Sequence, residues 1–264
     1  MSTYTFDQGW EKERERLGGI ESLFDEYSTQ RLAALGVSEG WQCLEIGFGA
    51  GSVALWLADK VGSTGRVVAT DLDPRFLDGH SRSNLEVRKY DLATEPMEEA
   101  AFDLAHARLV LEWIRHKQGA LQRMVSAVRP GAWVVAQDGD FGGVMIPALA
   151  RYVDPPEHAA LYERIFRAGQ AATGAVHDAN YGARLIGAFK DAGLVNIAAE
   201  VHTPVVAGGT EKWLPGMVEF AAELFLGTGL VTSSDIESFL ALTADPSVHY
   251  APTLAVTAWG QRPA

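Results

Sequence analysis

Gln42-Cys43-Leu44-Glu45-Ile46-Gly47-Phe48-Gly49-Ala50-Gly51 is a short apolar run that ends in three alternating glycines. The run reads as a strand. Past it, Val53, Ala54, Leu57, Ala58 and Val61 recur at helical spacing, which predicts an amphipathic helix. Strand, glycine turn and helix in that order open a nucleotide-type α/β unit. Glycines serve such a unit twice: the turn needs backbone angles that a Cβ disfavours, and the main chain must come close to a ligand.

Working outward, apolar runs alternate with helical patterns. Strands are expected at 41–46, 66–70, 85–89, 102–107 and 133–137, with a helix at 117–128 that Arg129-Pro130-Gly131 breaks. Ahead of them stand a charged helix at 7–17 and a second helix at 20–35, with Trp10 expected to pack. Such alternation implies right-handed crossovers and a parallel sheet. After 138 the order loosens. Gly-Gly and Pro-Pro breaks surround a helix near 157–172, a helix at 182–192 precedes a strand at 194–202, two helices split near Gly227-Thr228-Gly229, and 253–260 alternates as a last strand. A single domain of 264 residues then divides into an N-terminal helical lid (1–36), a cofactor-binding core (37–138), two lid insertions (139–180 and 204–247) and the C-terminal part of the sheet (181–203 and 248–264).

Ligands of an open parallel sheet bind beyond the carboxyl ends of its strands. Asp71 ends the second strand, where a carboxylate can accept both hydroxyls of a ribose. Asp73, ahead of Pro74, reads as a cap or turn aspartate. Asp91 ends the third strand and can take the exocyclic amine of an adenine, with Leu72 and Leu92 sandwiching the ring. Phe48 in the loop and Arg108 at the end of the fourth strand complete the candidate set.

A dinucleotide fold would place its third glycine at position 52, which is Ser52; here the third glycine is Gly51, and Glu45 precedes the loop by two residues. This spacing of Glu45, Gly47, Gly49 and Gly51 resembles motif I of the class I S-adenosylmethionine-dependent methyltransferases. The Val128-Arg129-Pro130-Gly131-Ala132-Trp133 segment is similar to the one before their fifth strand. The resemblance covers about 20–140 and, more loosely, the final strands. It implies an α/β, Rossmann-like seven-stranded sheet, mostly parallel with an antiparallel last strand. It also implies S-adenosyl-L-methionine as methyl donor, with its amino-acid end along the glycine loop. Glu45, Gly47, Gly49, Gly51, Asp71 and Asp91 then fall on the family's cofactor positions. The chain departs after strand four, where many such relatives carry His and this one has Val110-Leu111-Glu112-Trp113. Two other classes compete: a dinucleotide-dependent oxidoreductase, against which Ser52 speaks, and a SAM-binding non-methylating protein on the same fold.

The net charge of −12 disfavours a nucleic-acid partner. Cys43 is the one cysteine, so no internal disulfide forms. No apolar run approaches transmembrane length and no signal peptide is visible, so a cytoplasmic protein without membrane contact is expected.

Methyl transfer from a sulfonium needs alignment and exclusion of water; an alcohol or ammonium acceptor also needs a base. No His and carboxylate cluster suggests a metal. Candidate catalytic groups are Asp138 and Asp140 after the fifth strand, with Glu112 similarly placed, and His177 in the first insertion. His106, inside strand four, reads as a core histidine. The insertions carry Phe141, Met145, Tyr152, Phe166, Trp213, Met217, Phe220 and Phe225. They are expected to roof an apolar pocket for a small, largely hydrophobic substrate methylated on O or N. Packing on a second subunit, in a homodimer, is the alternative use of those surfaces.

Overall fold

The computed structural model describes residues 13–264. Trp10 and the start of the 7–17 helix lie outside the described residues. The elements in chain order are α1 (Glu13–Ala34), β1 (Gln42–Ile46), α2 (Ser52–Val61), β2 (Arg66–Asp71), β3 (Leu85–Lys89), β4 (Phe102–Arg108), α3 (Lys117–Ala127), β5 (Val128–Gly139), α4 (Met145–Ala150), α5 (Ala159–Thr173), α6 (Leu185–Asp191), β6 (Val195–His202), β7 (Val206–Ala207), α7 (Trp213–Phe220), α8 (Ala222–Gly227), α9 (Ser233–Ala244), β8 (His249–Tyr250) and β9 (Ala255–Gln261).

Seven strands form one sheet in the order β3-β2-β1-β4-β5-β9-β6, and β7 pairs with β8 apart from it. Pairings from β3 to β5 are parallel, while β9 runs antiparallel to both β5 and β6. This is the expected mostly parallel sheet with an antiparallel last strand. Chain order reverses between β1 and β4, so a crevice opens at their carboxyl ends, where such sheets take ligands. Both faces of the sheet are covered. Leu44, Ile46, Val68, Ala105 and Ala107 pack to one side, and Cys43, Val67, Ala69 and Leu104 pack to the other against Leu32, Val53, Leu57 and Val61.

Three differences from the sequence reading have physical causes. The two helices expected on either side of Gly18 and Gly19 are one, α1. Gly19 sits against α7, where an added Cβ would lie 2.6 Å from the Trp213 backbone nitrogen, whereas Gly18 has nothing within 4 Å. Adjacent Gly→Ala changes therefore have opposite signs. Gly19→Ala is expected to cost about 1–3 kcal/mol by overpacking, and Gly18→Ala to gain up to about 1 kcal/mol of helix propensity, read as urea midpoints.

Second, β5 begins at Val128, not Trp133. Its pairing with β4 jumps from Phe102–Val128 to Leu104–Trp133, so 129–132, which follow the expected end of α3, form an irregular bulge inside the strand. Third, the second insertion holds three helices, because α7 and α8 part at Ala221 with no Gly or Pro to mark it. The insertions pack on each other, α5 against α8 and α9, and α7 joins them to α1. Among the described residues, no helix is long and apolar enough to cross a membrane.

Candidate functional site

The loop from β1 to α2 keeps Gly47, Gly49 and Gly51 at positive φ (67°, 59° and 102°). Its amides are tied to β2. Gly47 and Phe48 donate to the Thr70 carbonyl at 2.7 and 3.2 Å, and Gly49 donates to Asp71 Oδ2 at 3.0 Å. The loop is one wall of a cavity of about 410 Å³ at the carboxyl ends of β1, β2 and β4. Gly47, Phe48, Gly49, Asp71, Leu72, Asp91, Leu92 and Arg108 all line it.

Glu45 and Gly51 do not line the cavity. Glu45 is buried inside β1 and bonds His106 Nδ1 at 2.7 Å, which makes that histidine the satisfied core residue expected. An added Cβ at Gly51 would fall 2.5 Å from Leu77 Cδ2, so this glycine makes room for a core leucine and not for a ligand.

Asp71 is held twice, by the Gly49 N–H and by the Asp73 N–H at 3.0 Å. Burial pushes its carboxyl up, and those N–H bonds hold it down only in part. Asp73 caps the turn after Pro74 through the Arg75 N–H, as its position suggested. Asp91 spends much of its capacity locally, accepting from the Ala93 N–H at 2.9 Å and the Thr94 hydroxyl at 3.1 Å, although it borders the cavity. Arg108 lines the cavity but donates to Asp25 Oδ1 of α1 at 2.8 Å.

Helix α1 closes the cavity from outside with Leu17, Ile20 and Glu21. Glu21 accepts the Ser52 N–H at 3.0 Å and Asp25 accepts the Ser52 hydroxyl at 2.9 Å. A carboxylate of the protein thus fills the N-terminal anion seat of α2. No pattern in the sequence pairs these residues, because they meet only after folding.

A second, smaller cavity of about 60 Å³ lies between the insertions. Phe141, Phe166, Trp213, Met217 and Phe225 line it, and Trp113 belongs to the walls of both cavities. His177 lines it too, stacked on Trp113 with ring centroids 4.0 Å apart. His177 Nε2 meets Glu112 Oε1 at 3.1 Å, and Glu112 Oε2 accepts the Gly139 N–H at 2.6 Å. Sequence reasoning noticed each residue but not that they touch, 65 positions apart.

Asp138 and Asp140, expected at the substrate rim, line neither cavity. Asp138 is buried at the end of β5, its Oδ1 accepting the Glu112 N–H at 3.1 Å. There β5 packs against the 111–113 and 182–184 turns, so the side chain meets protein and not a rim. Asp140 is half-buried beyond the same strand end. Burial first, and the Glu112 charge second, push the Asp138 carboxyl well above the usual carboxylate range.

The unfolded chain gives up the Asp138 proton near the ordinary value of about 3.9, while the folded chain keeps it to higher pH. Between those points the unfolded state binds fewer protons, so this group makes stability fall as pH rises. Asp138→Asn keeps the Oδ1 acceptor and removes that loss. Its urea midpoint relative to the unsubstituted protein is expected to climb as pH rises above the unfolded value of about 3.9; a flat difference would reject the assignment. No group of three or more His, Cys, Asp or Glu among the described residues is placed to hold a metal.

Residues 44–136 match the family model described as a methyltransferase domain. They cover β1 to β5 and with them the glycine loop, Asp71, Asp91 and Arg108 of the larger cavity. Over these residues the chain is similar to a methyltransferase domain, and its sheet has the Rossmann-like fold of solved methyltransferases.

Among curated proteins, the chain is 31% identical over 135 residues to methyltransferase str2 of Strobilurus tenacellus (50% of this chain, 47% of that protein). It is 27% identical over 145 residues to the ubiquinone/menaquinone biosynthesis C-methyltransferase UbiE of Ectopseudomonas mendocina (52% and 55%). It spans about half the length of these relatives. Among solved structures, the YcgJ protein of Bacillus subtilis shares the fold with a TM-score of 0.59 at 10% identity, over 91% of this chain and 99% of that one. Phosphoethanolamine N-methyltransferase 2 of Haemonchus contortus shares it at 0.56 and 17%, over 95% and 58%.

Proposed function

We propose that this protein transfers a methyl group from S-adenosyl-L-methionine to an oxygen or nitrogen of a small, largely hydrophobic molecule. One observation carries the reading: a glycine-walled cavity with an acidic strand end opens beside a small apolar cavity, and one indole, Trp113, borders both. The larger cavity suits the cofactor. Its apolar stretch, Leu72, Tyr90 and Leu92, fits an adenine ring, Asp71 faces where a ribose would lie, and the Gly47–Gly49 backbone is open to a polar amino-acid end. When bound, the cofactor supplies an electrophilic methyl on a positive sulfur, whose bond pair returns to that sulfur on transfer. The protein's own part is to align the acceptor and keep water out.

In this reading 1–36 and the insertions 139–180 and 204–247 form the roof, and the core 37–138 holds the cofactor. Of the proposed catalytic set, His177 alone borders a cavity. The name of UbiE, a quinone-pathway C-methyltransferase, supports a small ring-bearing acceptor. Against a dinucleotide enzyme stands the Ser52 N–H, already bonded to Glu21, which leaves a pyrophosphate no seat on α2.

The test is a methylation screen with labelled cofactor over aromatic and aliphatic small molecules, peptides and nucleic acids. Transfer to small molecules is expected. Robust transfer to a folded protein or nucleic acid alone would overturn the roofed-site reading, because a macromolecule cannot enter it.

A further inference from the structure

A third opening, a groove of about 820 Å³, lies between the start of α3 and the segment from Tyr181 to Asp191. Its charge runs against the composition. In a chain of net charge −12, Arg115, Lys117 and Arg184 bring three permanent cations to its walls, and Asp191 brings the one carboxylate. Asp178, which does not line the groove, pairs with Arg184 and lies 3.7 Å from Lys117 Nζ. It holds two of the cations in place and leaves the third. Among the described residues, the Arg115 guanidinium and the His116 ring have no hydrogen bond or ion pair. Helix α3, 11 residues long, begins with no side-chain cap and no acid in its first turn. Its first N–H groups, at Lys117 to Gly119 on the groove wall, therefore lack a protein acceptor. Tyr181 is an independent sign. It lines the groove, is 4% exposed, and its hydroxyl has no hydrogen-bond partner among the described residues. A buried hydroxyl left unpaired is costly. Burial pushes its ionisation up, so it stays a donor.

The free groups of this groove are cations and hydrogen-bond donors, so an acceptor-rich anion fits it. The donors from 115 to 119 fall within about one helical turn, ~5 Å. That span suits one compact group with several oxygens better than an extended acidic chain. A phosphate has this form and matches both a guanidinium and a helix start. Beyond it the groove passes over Ala183, Gly187 and Ala188, whose small side chains leave room for the rest of a molecule. We infer that the groove binds a small phosphate-bearing molecule, with Arg115 and the start of α3 on the phosphate and the Tyr181 hydroxyl donating to one of its oxygens. Arg115 and His116 also belong to the wall of the larger cavity. An anion in the groove thus offsets positive charge beside the space proposed for the cofactor, whose sulfonium is itself positive. Its presence should tighten S-adenosylmethionine, and S-adenosylhomocysteine, which lacks the sulfonium charge, should gain less. This coupling, unlike the groove, rests on the methyl-transfer reading.

Inorganic pyrophosphate is the probe, titrated by calorimetry into the full-length protein at fixed ionic strength without divalent metal. Saturable binding at one site per chain is expected. Arg115→Gln should weaken it about tenfold, the scale of one charge-assisted hydrogen bond. Tyr181→Phe should weaken it about threefold, the scale of one hydrogen bond. Without pyrophosphate, Tyr181→Phe should keep or raise the urea midpoint, because it removes an unsatisfied group; a tyrosine with a purely structural role would lower it. No saturable binding, or binding that both substitutions leave unchanged, overturns the inference. A glutamate-rich peptide that binds more tightly than pyrophosphate would overturn it in favour of an acidic protein partner. With pyrophosphate present, the Kd of S-adenosylmethionine is expected to drop about threefold. An unchanged Kd overturns the coupling alone. A Kd that rises places the probe in the larger cavity and overturns the whole. A protein that binds no S-adenosylmethionine counts against the methyl-transfer reading and the coupling with it, while the pyrophosphate titration still decides the groove.

Discussion

Gly49→Val is expected to abolish binding of S-adenosylmethionine. Three effects act at this position. The backbone holds φ at 59°, a conformation that costs a β-branched residue roughly 1–2 kcal/mol. An added Cβ would press on Leu17 Cδ2 of α1 at 3.3 Å, and the two methyls of valine reach further. The Gly49 N–H also anchors the loop to Asp71, so a displaced backbone loses the bond that positions the carboxylate. Each effect alone is tolerable for folding; together they remove the flat surface on which a ligand would lie. Calorimetry with S-adenosylhomocysteine measures the outcome, with circular dichroism to confirm folding. Unchanged affinity would remove the glycine loop from the proposed cofactor site.

Asp71→Ala is expected to weaken the same binding by about 1.5–3 kcal/mol, the scale of a charge-assisted hydrogen bond, or about 10- to 150-fold in Kd. The carboxylate already accepts from Gly49 and Asp73, so its loss also slackens the loop. Asp71→Asn keeps one acceptor oxygen and should fall between. Because burial raises this carboxyl, the group protonates at higher pH than an ordinary aspartate. Affinity should therefore decline on acidification sooner than for an exposed carboxylate, and the alanine variant should lack that decline. An unfolded Asp71→Ala would assign the residue to holding the turn instead.

Residues close in sequence carried most of what could be read without coordinates. Glycines, strand ends and the acids at 71, 73 and 91 are local patterns, and the backbone places them where local rules predict. The reading failed where burial is set by distant neighbours. Glu45 looked like a ligand group because its spacing matched a motif, yet His106, on the adjacent strand, takes its carboxylate. Asp138 reads as a rim residue because it follows the fifth strand, yet the turns at 111–113 and 182–184 pack over it. The helices expected at 7–17 and 20–35 leave Gly19 between them, because nothing in sequence reveals Trp213 pressing on it. The Glu112–His177 contact joins a turn after β4 to a loop of the first insertion, a relation with no sequence period at all.

Trp113 has one more consequence. A side chain that two ligands share cannot be adjusted by one of them in private. If the acceptor shifts the indole toward an arrangement that the cofactor prefers, the cofactor must in turn favour the acceptor by the same factor, since linkage between binding free energies is reciprocal. Any preferred order of arrival would then be a matter of which path is faster. The ternary assembly has the same free energy whichever partner comes first, and in the proposed reading the indole would be where the two affinities are negotiated.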